Sequence, residues 1–308
     1  MSLQERLGNW EIYPHSVTEV DGTTYMIVRQ GTRKMLGVAG DGEGLSGPQP
    51  APGEAGVSLY PLAPENAQIL RRRLAWLQPQ PLGLKRAAGC GDRLGLATPG
   101  HIRAFRAVHA ASASGNVGGT RIAPVFAQQS MRENARTGRT PQEVMDDALW
   151  GVLEAGWQEP WGADADHLKS TADIDLCLAA GYTFFTIDPG EHVDNEAHTA
   201  SWDLLQHKMD QLPWVELDDS KESLWRRYLN GEFQVEDLVL AFDESTLARA
   251  AAKYGRAIAH TARLYRPLSG KTRYFEFEMS VDETDTPTSV EEHYFVASEL
   301  KRLGVQWV

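Results

Sequence analysis

The chain has 308 residues, with 30 Lys and Arg against 42 Asp and Glu, a formal net charge of −12. That balance excludes the basic face a nucleic-acid partner needs, and no apolar run approaches the roughly 20 residues of a membrane span. Two cysteines, Cys90 and Cys177, are too few for a disulfide framework, and the N-terminus lacks the basic-then-apolar pattern of a signal peptide. A cytoplasmic globular protein with a sizeable core is therefore expected.

Residues 1–80 read as a small α+β unit. Thr23–Arg29 and Lys34–Val38 form a predicted hairpin around Gln30-Gly31-Thr32. Gly42, Gly44 and Gly47 match G-x-G-x-x-G, but Pro48, Pro50, Pro52 and Gly53 follow where a dinucleotide site needs a helix, so this is a loop. Pro64–Gln78 reads as a helix with Arg71–Arg73 on a solvated face.

From residue 81 the pattern becomes strand, loop, helix, repeated to residue 308. Leu84–Cys90 is a strand, and Thr98-Pro99 opens a helix carrying Ile102, Phe105 and Val108. Arg121–Ala127 is the next strand. Thr140-Pro141-Gln142-Glu143 is a capping box that starts another helix, ended by Gly156. Two further strands flank a short helix with Ser170 or Thr171 as cap and Asp173 in its first turn. A short crossover of this kind makes a parallel βαβ unit. Residues 196–270 read as an inserted helical segment without strands, a lid or a contact in a homo-oligomer. Arg273–Val281 resumes as a strand, Ser289–Glu292 caps a helix, and Val305–Val308 begins a sixth strand. The expected class is α/β, a (β/α)8 TIM-like barrel that is incomplete at about six strands.

In such folds chemistry gathers at the carboxyl ends of the strands. Those ends carry Asp92 and Arg93; Gln128, Gln129 and Ser130; Asp164, Asp166, His167 and Lys169; Asp188, Glu191, His192 and Asp194; and Glu278, Asp282 and Glu283. Carboxylate with imidazole suits a divalent ion such as Zn or Mn, and Asp166, His167, Glu278 and His192 are the candidate ligands. Asp188, Lys169 and Glu278 are the candidate catalytic groups, with a carboxylate or Lys169 as base. Asp92, Arg93, Gln128, Gln129 and Asp282 are the candidate substrate contacts. Asp92 and Arg93 can equally form an internal ion pair, and the alternative for His192 is a helix-terminus or capping histidine. His101, His109 and His260 read as packing or surface residues. Trp150, Trp157 and Trp161 read as core.

Several strings occurring in order resemble the tagaturonate epimerase family. They are C-G-D-R-L-G-L-A-T-P-G-H (90–101), A-Q-Q-S (127–130), G-R-T-P-Q-E-V-M-D-D-A-L-W-G-V (138–152), G-A-D-A-D-H-L-K (162–169), F-F-T-I-D-P-G-E-H-V-D-N (184–195) and S-V-D-E-T (280–284). The resemblance covers roughly residues 85–308. It implies a TIM-like barrel and a divalent metal. It also implies a sugar-acid substrate, the keto-uronate pair tagaturonate and fructuronate, interconverted by removing a proton next to the ketone and returning it on the opposite face. Family members are longer, so further strands and polar motifs are expected beyond this stretch. The competing expectations are a non-catalytic sugar-acid-binding protein on a truncated barrel, and a different barrel enzyme such as a metal-dependent aldolase or hydrolase.

Overall fold

The computed structural model describes residues 2–51, 56–113, 121–229, 231–282 and 284–308. The expected loop residues Pro52 and Gly53, Asn230 at the end of a predicted helix, and the candidate Glu283 lie outside the described residues. Contacts divide the chain into two compact units. The first comprises Met1–Asp166 and Asp175–Phe185, and the second His167–Ile174 and Thr186–Val308.

The first unit opens with helix α1 (Leu3–Leu7) and an antiparallel sheet. Its strands are β1 (Glu11–Ile12), β2 (Thr18–Val20), β3 (Thr23–Gln30), β4 (Arg33–Ala39), β5 (Gln49–Pro50) and β6 (Val57–Tyr60). The order is β1-β3-β4-β6-β5, with β2 on β3. The predicted hairpin is present: Gln30 pairs with Arg33 across a turn in which Gly31 takes φ 60°, a conformation free of penalty only for glycine. Leu7, Trp10, Met26, Val28, Met35 and Leu59 pack into the core of this sheet. The glycine loop leads into β5 and not into a helix, as the prolines require.

Helix α2 spans Pro64–Arg73 and a 3-10 turn covers Ala75–Leu77. The arginine run is not the solvated face expected. Arg71 donates to the Ala180 carbonyl at 2.8 Å and pairs with Asp146 at 3.3 Å, and Arg73 donates to the Tyr25 hydroxyl at 2.6 Å. The long side chains bury their stems and carry their charge to partners the helix pattern does not show.

The next strands and helices alternate. They are β7 (Ala87–Gly89), α3 (Thr98–Ala113), β8 (Ala123–Gln128), α4 (Met131–Thr137), α5 (Pro141–Ala155), β9 (Gly162–Leu168), α6 (Thr171–Ala180) and β10 (Phe184–Ile187). β7 is shorter than expected, and Leu84 is 92% exposed, because at the sheet edge only three residues meet β8. The capping box of Thr140 and Glu143 is formed, and Gly156 ends α5 at φ 61°. On α3 the inward side chains are Ile102, Phe105 and His109, whereas Val108 is exposed. Trp150, Trp157 and Trp161 are buried, as expected. Phe126 meets the Trp157 ring edge-on at 5.7 Å and lies 6.1 Å from Trp161.

The second unit contains α7 (Trp202–Asp210), α8 (Lys221–Tyr228), β11 (Glu232–Val235), β12 (Leu238–Ala241), α9 (Glu244–Lys271), β13 (Glu276–Met279) and α10 (Val290–Arg302). Residues 196–270 are thus not purely helical: β11 and β12 form a hairpin. Its turn is Glu236-Asp237, with Glu236 at φ 51°, so the glycine or asparagine that advertises such a turn is missing. α9 is Ala-rich and buried along most of its length, from Leu247 to Leu268, and Asp243 caps it. Phe275 and Phe277 pack against Tyr265 of α9.

The sheet that organises the α/β portion has five strands in the order β13-β10-β9-β8-β7. β7, β8 and β9 run parallel. The expected sixth strand is absent: Val305–Val308 has no strand geometry, and the bond from the Val308 N–H to the Phe277 carbonyl at 3.2 Å does not extend into a run.

Candidate functional site

In the first unit the strand ends meet around a cavity of about 550 Å³, lined by Asp92, Arg93, Gln128, Gln129, Glu133 and Asp166 among others. Five of these six were candidates from sequence. Asp92 turns its carboxylate back onto its own loop and accepts from the amides of Leu94, Gly95 and Ala97 at 3.0, 2.9 and 2.6 Å. Burial pushes this carboxyl up, but the loop amides outweigh burial and hold it below its ordinary range. Arg139 grips the Asp92 carbonyl from α5's end at 2.5 Å. Asp92 therefore shapes the loop, and no Asp92–Arg93 pair is needed: Arg93 is paired with Glu133 of α4 at 2.8 Å. Glu133 and the helix it sits on were missed from sequence, although Ser130 caps α4 three residues before Glu133.

Gln128 donates to Asp164 at 2.8 Å. Gly89 makes room for it, since a Cβ there would lie 1.9 Å from the Gln128 Oε1. The amide and carboxylate thus face each other across adjacent strand ends. The Arg93 guanidinium, 65% exposed, supplies the cation of this cavity.

The second unit holds the other cluster. His167, the last residue but one of β9, has φ 55°, a left-handed conformation that a regular strand lacks. The alternation rule for neighbours on a regular strand, by which Asp166 and His167 must diverge, stops applying at that break. The His167 Nε2 lies 3.4 Å from Asp282 Oδ2. Burial raises the Asp282 carboxyl, and the Ser280 hydroxyl and His167 ring more than offset it, leaving it below its usual range. Lys169 lies 2.8 Å from Glu191 and 3.5 Å from Asp188, and the hydrogen bond to Glu191 leads the contributions that raise its ammonium above the ordinary lysine value. Lys169 therefore stays protonated, which suits a stabilising cation and not a base. Asp188 also accepts from the Gly190 amide at 2.9 Å. Asp194 is tied by Lys208 at 2.5 Å, a structural pair.

His192 lies at a helix terminus, as its alternative reading has it. It sits in the 3-10 turn Gly190–His192, and its ring stacks on His260 at 4.0 Å and 30°. His260 was assigned to packing from sequence, since an isolated histidine on an alanine-rich helix carries no spacing signal. Glu278 lines a different, largely apolar cavity of about 400 Å³, with Met279, Tyr254, His293 and Trp307.

Among the described residues, no three His, Cys, Asp or Glu side chains converge as a metal ion requires. His167 and Asp282 make a pair of suitable donors, whereas Asp166 lines the first unit's cavity, Glu278 lines the largely apolar one and His192 stacks on His260. The described residues do not fit a complete ligand shell.

The family model described as tagaturonate epimerase matches residues 13–308. A Tagaturonate/fructuronate epimerase of Thermotoga maritima is 39% identical over 302 residues, covering 97% of this chain and 59% of that protein. The native crystal structure of a fructuronate-tagaturonate epimerase from Cohnella laeviribosi superposes with a TM-score of 0.86 at 35% identity, covering 99% of this chain and 59% of that one. A one-glycerol complex of the same protein gives 0.85 at 36% identity, covering 97% and 58%. The chain thus spans less than two thirds of the length of these relatives.

Proposed function

The chain belongs to the tagaturonate epimerase family, and on that footing we propose that it acts, within its full-length protein, on the keto-uronates tagaturonate and fructuronate and interconverts them. The five-stranded sheet is on this reading part of a (β/α)8 barrel. The observation that carries the assignment of roles is the Lys169–Asp188–Glu191 cluster, at the end of β9 and just after β10.

The chemistry of the substrate changes the expected mechanism. Tagatose and fructose configurations differ at C4 when numbered from the end bearing the C2 ketone. The carbon next to that ketone is C3, so exchanging its proton does not invert C4. A hydroxyl at C4 is, however, β to the ketone, and this arrangement permits a retro-aldol step. Asp188 takes the C4 hydroxyl proton, the C3–C4 bond breaks, and its electron pair forms the enediolate over C2 and C3 while C4 becomes an aldehyde carbon. The aldehyde turns its other face, the bond re-forms, and Asp188 returns the proton to the C4 oxygen. The Lys169 ammonium stabilises the enediolate oxygen, a fixed charge aimed where negative charge develops. The aldolase-type alternative thus merges with the epimerase reading as its internal step.

The test is conversion of fructuronate to tagaturonate by the full-length protein, before and after chelation and with Mn²⁺ or Zn²⁺ restored, beside elemental analysis. Conversion supports the reading. No conversion under any of these conditions sinks it. A metal requirement would show that donors outside the described residues complete the pair at His167 and Asp282.

A further inference from the structure

We propose that Lys253 is a positioning residue: from helix α9 it clamps the segment after β10, which carries Asp188 and Glu191, and the loop after β13, which carries Asp282. This inference rests on the reaction proposed above. Lys253 is 0% exposed, and a lysine is buried so completely only where its donors are met. Its Nζ donates to Thr286 Oγ1 at 3.1 Å and to the Glu292 carboxylate at 3.1 and 3.3 Å. Its main-chain carbonyl accepts from the Asp194 amide at 2.9 Å. One residue thus holds both stretches, the first by its backbone and the second by its side chain.

Three further contacts repeat the arrangement. Tyr254, the next residue of α9, has its hydroxyl 2.8 Å from Thr288 Oγ1. The Asp285 amide donates to Asn195 Oδ1 at 3.3 Å, so the two stretches also bond each other. Glu292 accepts from the Ser289 amide at 2.9 Å, and its carboxylate therefore serves both the buried ion pair and the capping box of α10. A buried ion pair is weak evidence for stability, since apolar residues of the same size often do as well. What this pair adds is placement: it ties the Thr286 hydroxyl, and with it the loop, to one point on α9. Asp282, four residues before Thr286, lies 3.4 Å from His167, and Asp188, six residues before Asp194, lies 3.5 Å from Lys169. Groups held from behind in this way stay within a fraction of an ångström of one arrangement.

The experiment uses the full-length protein. Lys253→Met alone leaves the Glu292 carboxylate buried without its cation and can unfold the chain, so it is combined with Glu292→Gln, which keeps the capping box. The double variant is expected to melt near wild type and to lose about 100-fold in kcat with KM little changed, the effect of a displacement of about 1 Å among reacting groups. Thr286→Val removes only the hydroxyl and is expected to lose about tenfold in kcat, whereas Thr286→Ser keeps the hydroxyl and is expected to stay near wild type. Wild-type kcat in the double variant, or losses in all three variants that track their melting temperatures, overturns the proposal. Hydrogen exchange reads the clamp without any turnover. Residues 284–289 are expected to exchange about tenfold faster in the double variant while α9 and α10 keep their protection. Unchanged exchange in that loop overturns the proposal. If wild type has no epimerase activity, the functional reading fails and the exchange still decides whether Lys253 holds the loop.

Discussion

Lys169 and Asp188 meet at 3.5 Å, Nζ to Oδ2, and this contact joins the loop after β9 to the residue that follows β10. Both belong to the second unit, and both are held by a third partner, Glu191 for the lysine and the Gly190 amide for the aspartate. The roles differ. Lys169 is a permanent cation, and Asp188 is the carboxylate beside it. Lys169→Met is therefore expected to lower kcat by about 10²–10³, the usual cost of removing one group that stabilises a developing oxyanion. Glu191→Gln, at an exposed carboxylate, should leave kcat close to wild type. Steady-state kinetics on both variants check the pair.

Gly89 governs the other cluster. An alanine there places its Cβ on the Gln128 Oε1, so the amide must swing away and its 2.8 Å bond to Asp164 breaks. Losing one hydrogen bond to a charged group is worth about 1.5–3 kcal/mol. Gly89→Ala is expected to lower the unfolding free energy by about that amount and to raise KM. An unchanged KM would show that Gln128 does not contact the substrate.

Two helix-ending glycines make a matched stability pair. Gly138 and Gly156 have φ of 67° and 61°. A Cβ on Gly138 meets nothing within 4 Å, whereas one on Gly156 lies 2.0 Å from the His15 carbonyl oxygen. Gly138→Ala should cost only the left-handed penalty, about 1–2 kcal/mol. Gly156→Ala adds a backbone clash and should cost clearly more, as read by chemical denaturation.

Asp146 gives a pH signature. Burial pushes its carboxyl up to about 6, with the Gln142 amide at 2.8 Å and Arg71 at 3.3 Å only partly opposing it. The folded protein thus holds a proton that the unfolded chain releases near 3.8. The stability this provides is complete below pH 3.8 and is lost as pH rises through about 6. The expected size is about 3 kcal/mol, from roughly two pKa units at about 1.4 kcal/mol each. Unfolding free energy measured from pH 4 to 7 should lose this slope in Asp146→Asn when the two proteins are compared.

The local signals in the chain were read well where the chemistry is local. Thr140 with Glu143 and Ser289 with Glu292 are capping boxes in sequence and in structure. The strand-end candidates Asp92, Arg93, Gln128, Gln129 and Asp166 do share a cavity. What was missed depends on partners distant in sequence. Arg71 finds Asp146, 75 residues away. His260 finds His192 across a whole helix–hairpin segment, and nothing in an alanine-rich helix announces that contact. The hairpin of β11 and β12 has a Glu-Asp turn, so tertiary context supplies what the turn residues do not. Glu278 lies on β13 yet lines a largely apolar cavity, because a strand position fixes a face but not which cavity lies opposite it.

The measurement that tests the central claim most directly is conversion of fructuronate by the full-length protein in deuterated water, with the product examined by NMR. The account predicts tagaturonate that keeps its original hydrogen at C4, since only the C3–C4 bond is broken there. Deuterium at C4, or no tagaturonate at all, would contradict it.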